Sequence, residues 1–532
     1  MAPMTPMTTT SRRTLLKWAL GASQFALLER AGLLSSRTAF AADADAPSRL
    51  AVLYIPGGYR PAYYFTPMED SEIPLCVPPP SSYSGEPVFF DAGGVVDLAP
   101  PNGPYKPLRT WRSWNPANPA ERGSYSPMMY GYTHFGLHDQ LSVLHGIDQG
   151  TNDHSSAFIS SMCGVAGADY RAPAIHSVIA NHLFEKYRES RPPPFVVVAG
   201  ERGTPVGMGL PSHASPVRVP SIQALKPQLS DKPSDNPWWT GLNARTESPE
   251  LDARGQPTGG TLKTTTVERF SLTRAQALMG RSTAKVDGHL EGLHDSLASV
   301  SRVLAADVVS LLENTKGIDA LTTNRPSYLS SYLSNQTFTY SFGLANFHLT
   351  GLDPRMDLAL RMLKSDLCTA VHVSLQLDFD THNGFGHGFS CAHGRGMMDN
   401  VARFLGELKA TPAPGKPGKT LLDDTLVLVM SEFGRSWASR GNDGTYSLPD
   451  DHHPFTSVAF AGGNVAGNRQ VGTYTPRGLG VPVDIIEENG QASKRVPRSA
   501  DVVSTALRIM GLGLHDFFIP GGYGEVVGLR RA

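Results

Sequence analysis

The sequence predicts an α/β fold: a doubly wound, mainly parallel sheet with a helical insertion and long irregular loops. Three observations predict it. Five short runs carry apolar, often β-branched residues at consecutive positions, the pattern of strands covered on both faces. Helical patterns fall between and around them, and strand–helix alternation builds parallel sheets. Gly (53) and Pro (42) are plentiful while charged residues make up 18% of the chain, a composition suited to a compact body with long surface loops.

The strands are expected at Arg49–Ile55 ("RLAVLYI"), Leu141–Ile147, Phe195–Gly200, Ala370–Leu377 and Thr425–Met430, with a sixth apolar run at Ser457–Gly463. A helix at Asp353–Leu367 precedes the fourth strand. Another, beginning at Gly396, places Met397, Met398, Val401, Phe404, Leu405 and Leu408 on one face, the spacing of a helix that buries a stripe. The run Ser499–Leu512 opens on a candidate Ser cap and ends at a Gly. Residues 76–119 and 203–260 are irregular and too long for simple connections. The stretch 264–347 reads as a mainly helical insertion, with Leu290, Leu293, Leu297, Val300 and Leu304 at helical spacing.

Residues 1–41 read as an address. "SRRTLLK" (Ser11–Lys17) precedes the apolar run Trp18–Leu28, and "AFA" (Ala39–Ala41) offers small residues where a signal peptidase cuts. The pattern resembles a twin-arginine export signal with Leu15 where Phe is preferred. It implies passage through the twin-arginine translocase, cleavage near Ala41 and a periplasmic or extracellular protein, with residues 42–532 as one domain. The apolar run is too short to span a bilayer, and no stable membrane span is expected elsewhere. Lys plus Arg number 47 against 48 Asp plus Glu, a formal charge of -1, so no overall field draws the chain to nucleic acid. Four cysteines without a C-x-x-C pair argue against a disulfide framework and against thiolate zinc.

The polar clusters gather where these strands end. The first strand runs into "PGGYRP", the second into "DQGTNDHSS", the fourth into "DFDTHNGFGH" and the fifth into "SEFGRSW", while "LPDDHHPF" precedes the sixth. Ligands of open parallel sheets bind beyond the carboxyl ends of the strands. Carboxylate and imidazole sets without thiolate suit zinc, manganese, magnesium or calcium. Asp380 and His382, two apart, would face one side of an extended segment.

"DFDTHN", "DDTLVLVMSEFGRSW" and "DHHPFTSVAFAGG" together resemble the secreted bacterial family known as domain of unknown function 1501, mainly over Leu360–Gly513. "NDHSSAFISSMCG" resembles its histidine-bearing segment more weakly. That family is grouped with the alkaline phosphatase-like and sulfatase-like fold, so the resemblance implies metal sites at strand ends. Carried over, it makes Asp380 and His382 ligands of one site, with Glu432 at a strand-end ligand position. His452 or His453, with Asp451 beside them, would close the site. Arg435 becomes a candidate for holding an oxyanion, and Asp153, His154 and Ser155 could supply another ligand or a nucleophile. Two departures stand out: Tyr59 and Arg60 follow Gly57–Gly58 where many members carry Asp, and "CVPPP" lacks the Arg that formylglycine sulfatases need. No G-x-S-x-G elbow occurs. The expectation is an exported metal-dependent hydrolase of phosphate or sulfate esters, taking an anionic small molecule or polysaccharide. The alternative is a non-catalytic binding or surface protein on a degenerate hydrolase scaffold.

Overall fold

The computed structural model describes residues 46–65, 132, 135–165, 174–187, 353–375, 379–380, 386–436, 451–475, 478–512 and 522–531. It also describes shorter segments within 88–97, 195–198, 217–221, 245–265, 308–318, 340–347, 439–440 and 446–447. The chain divides into two units, residues 1–44 and 45–532; residues 1–41, read as an export signal, and the apolar stripe Leu290–Leu304 lie outside the described residues.

The central sheet is built from β1 (Arg49–Tyr54), β2 (Leu141–Asp148), β3 (Phe195–Val198), β4 (Val217–Arg218), β5 (Ala370–Ser374), β6 (Thr425–Met430), β9 (Phe455–Gly462) and β10 (Arg469–Val471). A separate two-residue ladder pairs β7 (Gly434–Arg435) with β8 (His452–His453). Sheet order is β10-β2-β9-β6-β1-β5-β3-β4. β1 lies between β5 and β6 and runs parallel to both. β9 runs antiparallel to its neighbours β6 and β2, so the sixth apolar run joins an otherwise parallel sheet in reverse. All six expected strands are present within two or three residues of their expected ends.

Strand side chains alternate between faces, and here both faces are buried. Ala51 and Leu53 of β1, with Ile55 just beyond it, join one apolar cluster, while Leu50, Val52 and Tyr54 join another. The first cluster is closed by α3 (Pro354–Lys364) and α4 (Gly386–Ala410), through Met356, Leu360, Met397, Met398, Val401, Phe404, Leu405 and Leu408. The second is closed by α1 (His154–Cys163), α2 (Ile175–Tyr187) and α5 (Ser499–Ile509). The result is a mixed α/β body with helices on both sides of a mainly parallel sheet. Every residue of the stripe expected on α4 is buried. Among the described residues no helix is long and apolar enough to cross a membrane.

Local differences from the sequence reading have physical causes. α4 starts at Gly386, ten residues before the expected Gly396, so half of the Gly- and His-rich stretch after β5 is helical. Intrinsic propensity disfavours Gly in helices by about 1 kcal/mol, and the strongly amphipathic turns downstream carry the segment. Ser499 is the first helical residue of α5 rather than its cap. Asp501 reaches back to the Arg498 N–H at 2.8 Å, and Ser499 Oγ instead bonds Gln149. The irregular stretches 76–119 and 203–260 hold antiparallel hairpins, Val88–Asp91 with Gly94–Asp97 and Arg245–Leu251 with Pro257–Thr265. Cys163 and Cys368 are buried thiols.

A buried charge cluster secures the amino ends of the central strands. Arg49, at the start of β1, is fully enclosed; it pairs with Asp424 and, at 2.6 Å, with Asp366. Asp424 also accepts from Ser48 Oγ at 2.6 Å and from Lys416. This leaves the carboxyl ends, at the opposite edge, for the loops that carry the site.

Candidate metal centre

Four strand ends converge. β1 runs into Gly57–Gly58, β2 into the loop leading to His154, β5 toward Asp380, and β6 into Ser431–Arg435. β8 brings His452 alongside Arg435. His154, Asp380 and His452 each offer one ligand atom, and the three atoms lie within 4.8 Å of one another. Among the described residues they form the one cluster of three or more such groups able to hold a metal.

His154 is the first residue of α1, delivered there by the cap before it. Asp153 accepts the Ser156 N–H at 2.8 Å, the side-chain cap that Asp favours before a helix. That bond, with desolvation working weakly against it, lowers the Asp153 pKa. His154 Nδ1 lies 2.9 Å from Glu432 Oε1. A carboxylate only accepts, so Nδ1 carries the hydrogen and Nε2 faces inward, 3.2 Å from Asp380 Oδ2. When protonated, that enclosed Nε2 is ion-paired with Asp380 but finds no well-aligned hydrogen-bond partner.

His452 follows the same logic. Its Nδ1 lies 2.7 Å from the Asn152 carbonyl oxygen, which can only accept, so the hydrogen again sits on Nδ1. Its Nε2 is 3.6 Å from Asp380 Oδ1. Two donors about 2.1 Å from a tetrahedral ion stand about 3.4 Å apart; each imidazole is near that spacing from a different Asp380 oxygen, and one atom from each residue lies within 4.8 Å of the others. The two imidazoles meet edge to face with centroids 4.4 Å apart, on the ring of Phe433 at 4.8 and 4.3 Å. The residues therefore fit a divalent cation: two imidazoles locked in one tautomer by acceptors on their far nitrogens, and a carboxylate between them.

Electrostatics agree. Burial penalises the charged His154 imidazolium, but Asp380 and Glu432 outweigh it and lift its pKa to about 9. Burial likewise opposes ionisation of Asp380, yet His154 and Arg435 hold that carboxyl far below the usual range. Glu432 is fully buried and still lowered, by His154, Tyr54 and the Gly57 N–H, which donates to Oε1 at 2.7 Å.

The structure sorts the residues expected from sequence. It brings together His154, Asp380, His452, Glu432 and Arg435. Glu432 stands behind His154, its Oε1 bonded to Gly57 and His154 and its Oε2 to Ser431 Oγ at 2.9 Å, which places it as a support of one ligand. Arg435 bonds Asp380 Oδ1 at 2.8 Å and the Gly57 and Gly58 carbonyls, so its guanidinium faces the protein's own groups. His453 turns the other way: its ring packs on Phe455, and its Nδ1 accepts the Phe455 N–H at 3.4 Å. Adjacent residues of an extended strand point to opposite sides, which separates His452 from His453. Asp153 is the helix cap, Ser155 is exposed in the first turn of α1, and Asp451 is exposed and bonds Ser436 through its backbone. His382 lies outside the described residues. Sequence reasoning missed Phe433, Asn152 and Tyr54. Only Phe433 carried a signal, as the aromatic between Glu432 and Gly434.

Comparison with known proteins bears on the same segment. No curated protein matches the chain. Residues 312–524, which hold Asp380, Glu432, Arg435 and His452, match the model of a family described as Protein of unknown function (DUF1501).

Proposed function

We propose that this protein is an exported, metal-dependent hydrolase of phosphate or sulfate esters, on a scaffold of the alkaline phosphatase-like type. The observation that carries this reading is the approach of His154, Asp380 and His452 within 4.8 Å at the carboxyl edge of a parallel sheet. Three protein ligands leave a coordination position for substrate or water, the arrangement of catalytic rather than structural sites. A bound divalent cation would supply Lewis-acid polarisation of an ester oxygen or of water.

The chain's own residues do the rest. Glu432 and the Asn152 carbonyl fix both imidazoles with Nε2 facing inward. Asp380 supplies the anionic oxygen between them. Phe433 closes one side against water. Ser155, one residue beyond His154, is exposed and outside the cluster, so the nucleophile on this reading is water. The export signal supports delivery by the twin-arginine translocase to the periplasm or beyond, where an anionic small molecule or polysaccharide would be the substrate.

One observation favours the alternative, a binding or surface protein with a structural cation: Arg435 spends donors on Asp380 and two backbone carbonyls. Turnover separates the two. The mature protein, beginning near Ala42, is assayed with zinc or manganese on aryl phosphates and aryl sulfates. The hydrolase reading expects turnover that a chelator removes and that Asp380→Ala abolishes. Stoichiometric metal with no turnover across the ester panel supports the binding reading instead.

A further inference from the structure

We infer that Arg435 is a positioning residue of the metal centre: it fixes where the Asp380 carboxylate stands relative to the two imidazoles. This rests on the metal-binding reading above and replaces a direct role in holding a substrate oxyanion. The side chain is 1% exposed, and its bonds to other described residues hold the protein's own groups. Nη2 donates to Asp380 Oδ1 at 2.8 Å and to the Gly57 carbonyl, while Nε lies 3.0 and 3.2 Å from the Gly57 and Gly58 carbonyls. A guanidinium is a rigid planar fork. Holding two carbonyls and one carboxylate oxygen together sets the plane of the Asp380 carboxylate and turns Oδ2 toward His154 Nε2.

The main chain of Arg435 is registered as well, because it pairs with His452 in the β7–β8 ladder. One residue thus ties two of the three ligands to each other, Asp380 by side chain and His452 by backbone. The carbonyls that orient it depend on Gly57 and Gly58, whose φ values of 95° and 80° lie where only glycine rests without strain. A Cβ on Gly58 would stand 2.4 Å from the Phe433 ring and 3.3 Å from Arg435 Nε. Phe433 in turn carries both imidazoles. The cradle is therefore continuous from the glycine turn through Arg435 and Phe433 to the ligands.

The test compares wild type, Arg435→Lys, Arg435→Gln and Gly58→Ala as full mature proteins. Zinc and manganese affinities are measured against a chromogenic chelator, orthophosphate binding to the metal-loaded proteins by calorimetry, and metal-free melting as a check on folding. Lysine keeps the charge but is a point donor and cannot span the carbonyls and Asp380 together. Arg435→Lys should bind metal about 10- to 100-fold more weakly, as loss of an outer support does, with orthophosphate affinity of the loaded protein unchanged. Gly58→Ala should weaken metal in the same direction with every charged group retained, but its Cβ also presses on Phe433, so Arg435→Gln decides the matter if Arg435→Lys fails to fold. Wild-type metal affinity in the Arg435 variant that folds overturns the inference alone, and so does lost orthophosphate affinity with metal affinity intact. A wild type that binds no metal overturns both this inference and the metal centre.

Discussion

Replacing Glu432 by Gln isolates the support behind His154. Glu432 Oε1 accepts from Gly57 N–H at 2.7 Å and His154 Nδ1–H at 2.9 Å. In Glu432→Gln the amide oxygen keeps both bonds, and the new NH₂ can donate to Ser431 Oγ, whose single hydrogen, within reach of both Glu432 Oε2 and the Ile55 carbonyl in the wild type, then goes to the carbonyl at 2.6 Å. The fold should therefore tolerate the change, while the negative charge that makes His154 basic is lost. Loss of such a partner weakens metal binding about 10- to 100-fold, or about 1.4–2.7 kcal/mol. The proton partly masks this at neutral pH. The wild-type imidazole, with a pKa near about 9, is protonated and must release that proton to a metal, a penalty the variant reduces. Chelator competition above about pH 9 exposes the full loss, and at pH 7 the difference should narrow. Glu432→Ala differs in kind: it leaves the buried Gly57 N–H without an acceptor at about 1–3 kcal/mol and also unpairs the partly exposed His154 Nδ1–H, so it should lose at least about 1–3 kcal/mol of fold stability. Equal metal affinity of Glu432→Gln and wild type at the higher pH would refute the reasoning.

Three further outcomes follow from the same geometry. His452→Ala should abolish stoichiometric metal in an elemental assay, whereas His453→Ala should leave it intact, since its ring faces Phe455. For the metal-free protein, the His154 pKa is raised from 6.5 to about 9, so the stabilisation its charge provides is complete below pH 6.5 and fades as pH rises through about 9; melting at pH 6 and pH 10 reads the difference, and bound metal should flatten it. Asp424→Ala removes one of the two carboxylates paired with the fully buried Arg49, leaving Asp366, and should cost up to about 3–5 kcal/mol in denaturant unfolding, with metal stoichiometry unchanged because that pair sits at the amino ends of the strands.

Strand positions were legible because burial on both faces leaves unbroken apolar runs such as "TLVLVM", which few other structures require. The direction of β9 was not. A run buried on both faces looks alike whichever way it points, and register belongs to the assembled sheet. Asp380, Glu432 and His452 stood out as polar residues at strand ends, yet their roles depended on conformation. Of Asp153, His154 and Ser155, any of which could supply a ligand or a nucleophile, conformation selects one as ligand: a carboxylate one residue before a helix satisfies that helix's amides, which leaves the first helical residue to face the site. The doublet His452–His453 could supply only one ligand once its backbone was extended. Arg435 was read from its chemistry as an anion binder, and only the two glycine carbonyls, brought close by the turn after β1, show what its guanidinium bonds. The mixed propensity of Gly386–Gly396 hid the early start of α4 for a similar reason, since the packing that sustains it comes from residues further along.

Anomalous scattering from crystals of the mature protein soaked with zinc tests the central claim most directly. A single strong peak is expected about 2.0–2.2 Å from His154 Nε2, His452 Nε2 and one Asp380 oxygen, with Glu432 outside bonding distance. Crystals with no peak among these three side chains, or with the ion held elsewhere in the chain, would contradict it.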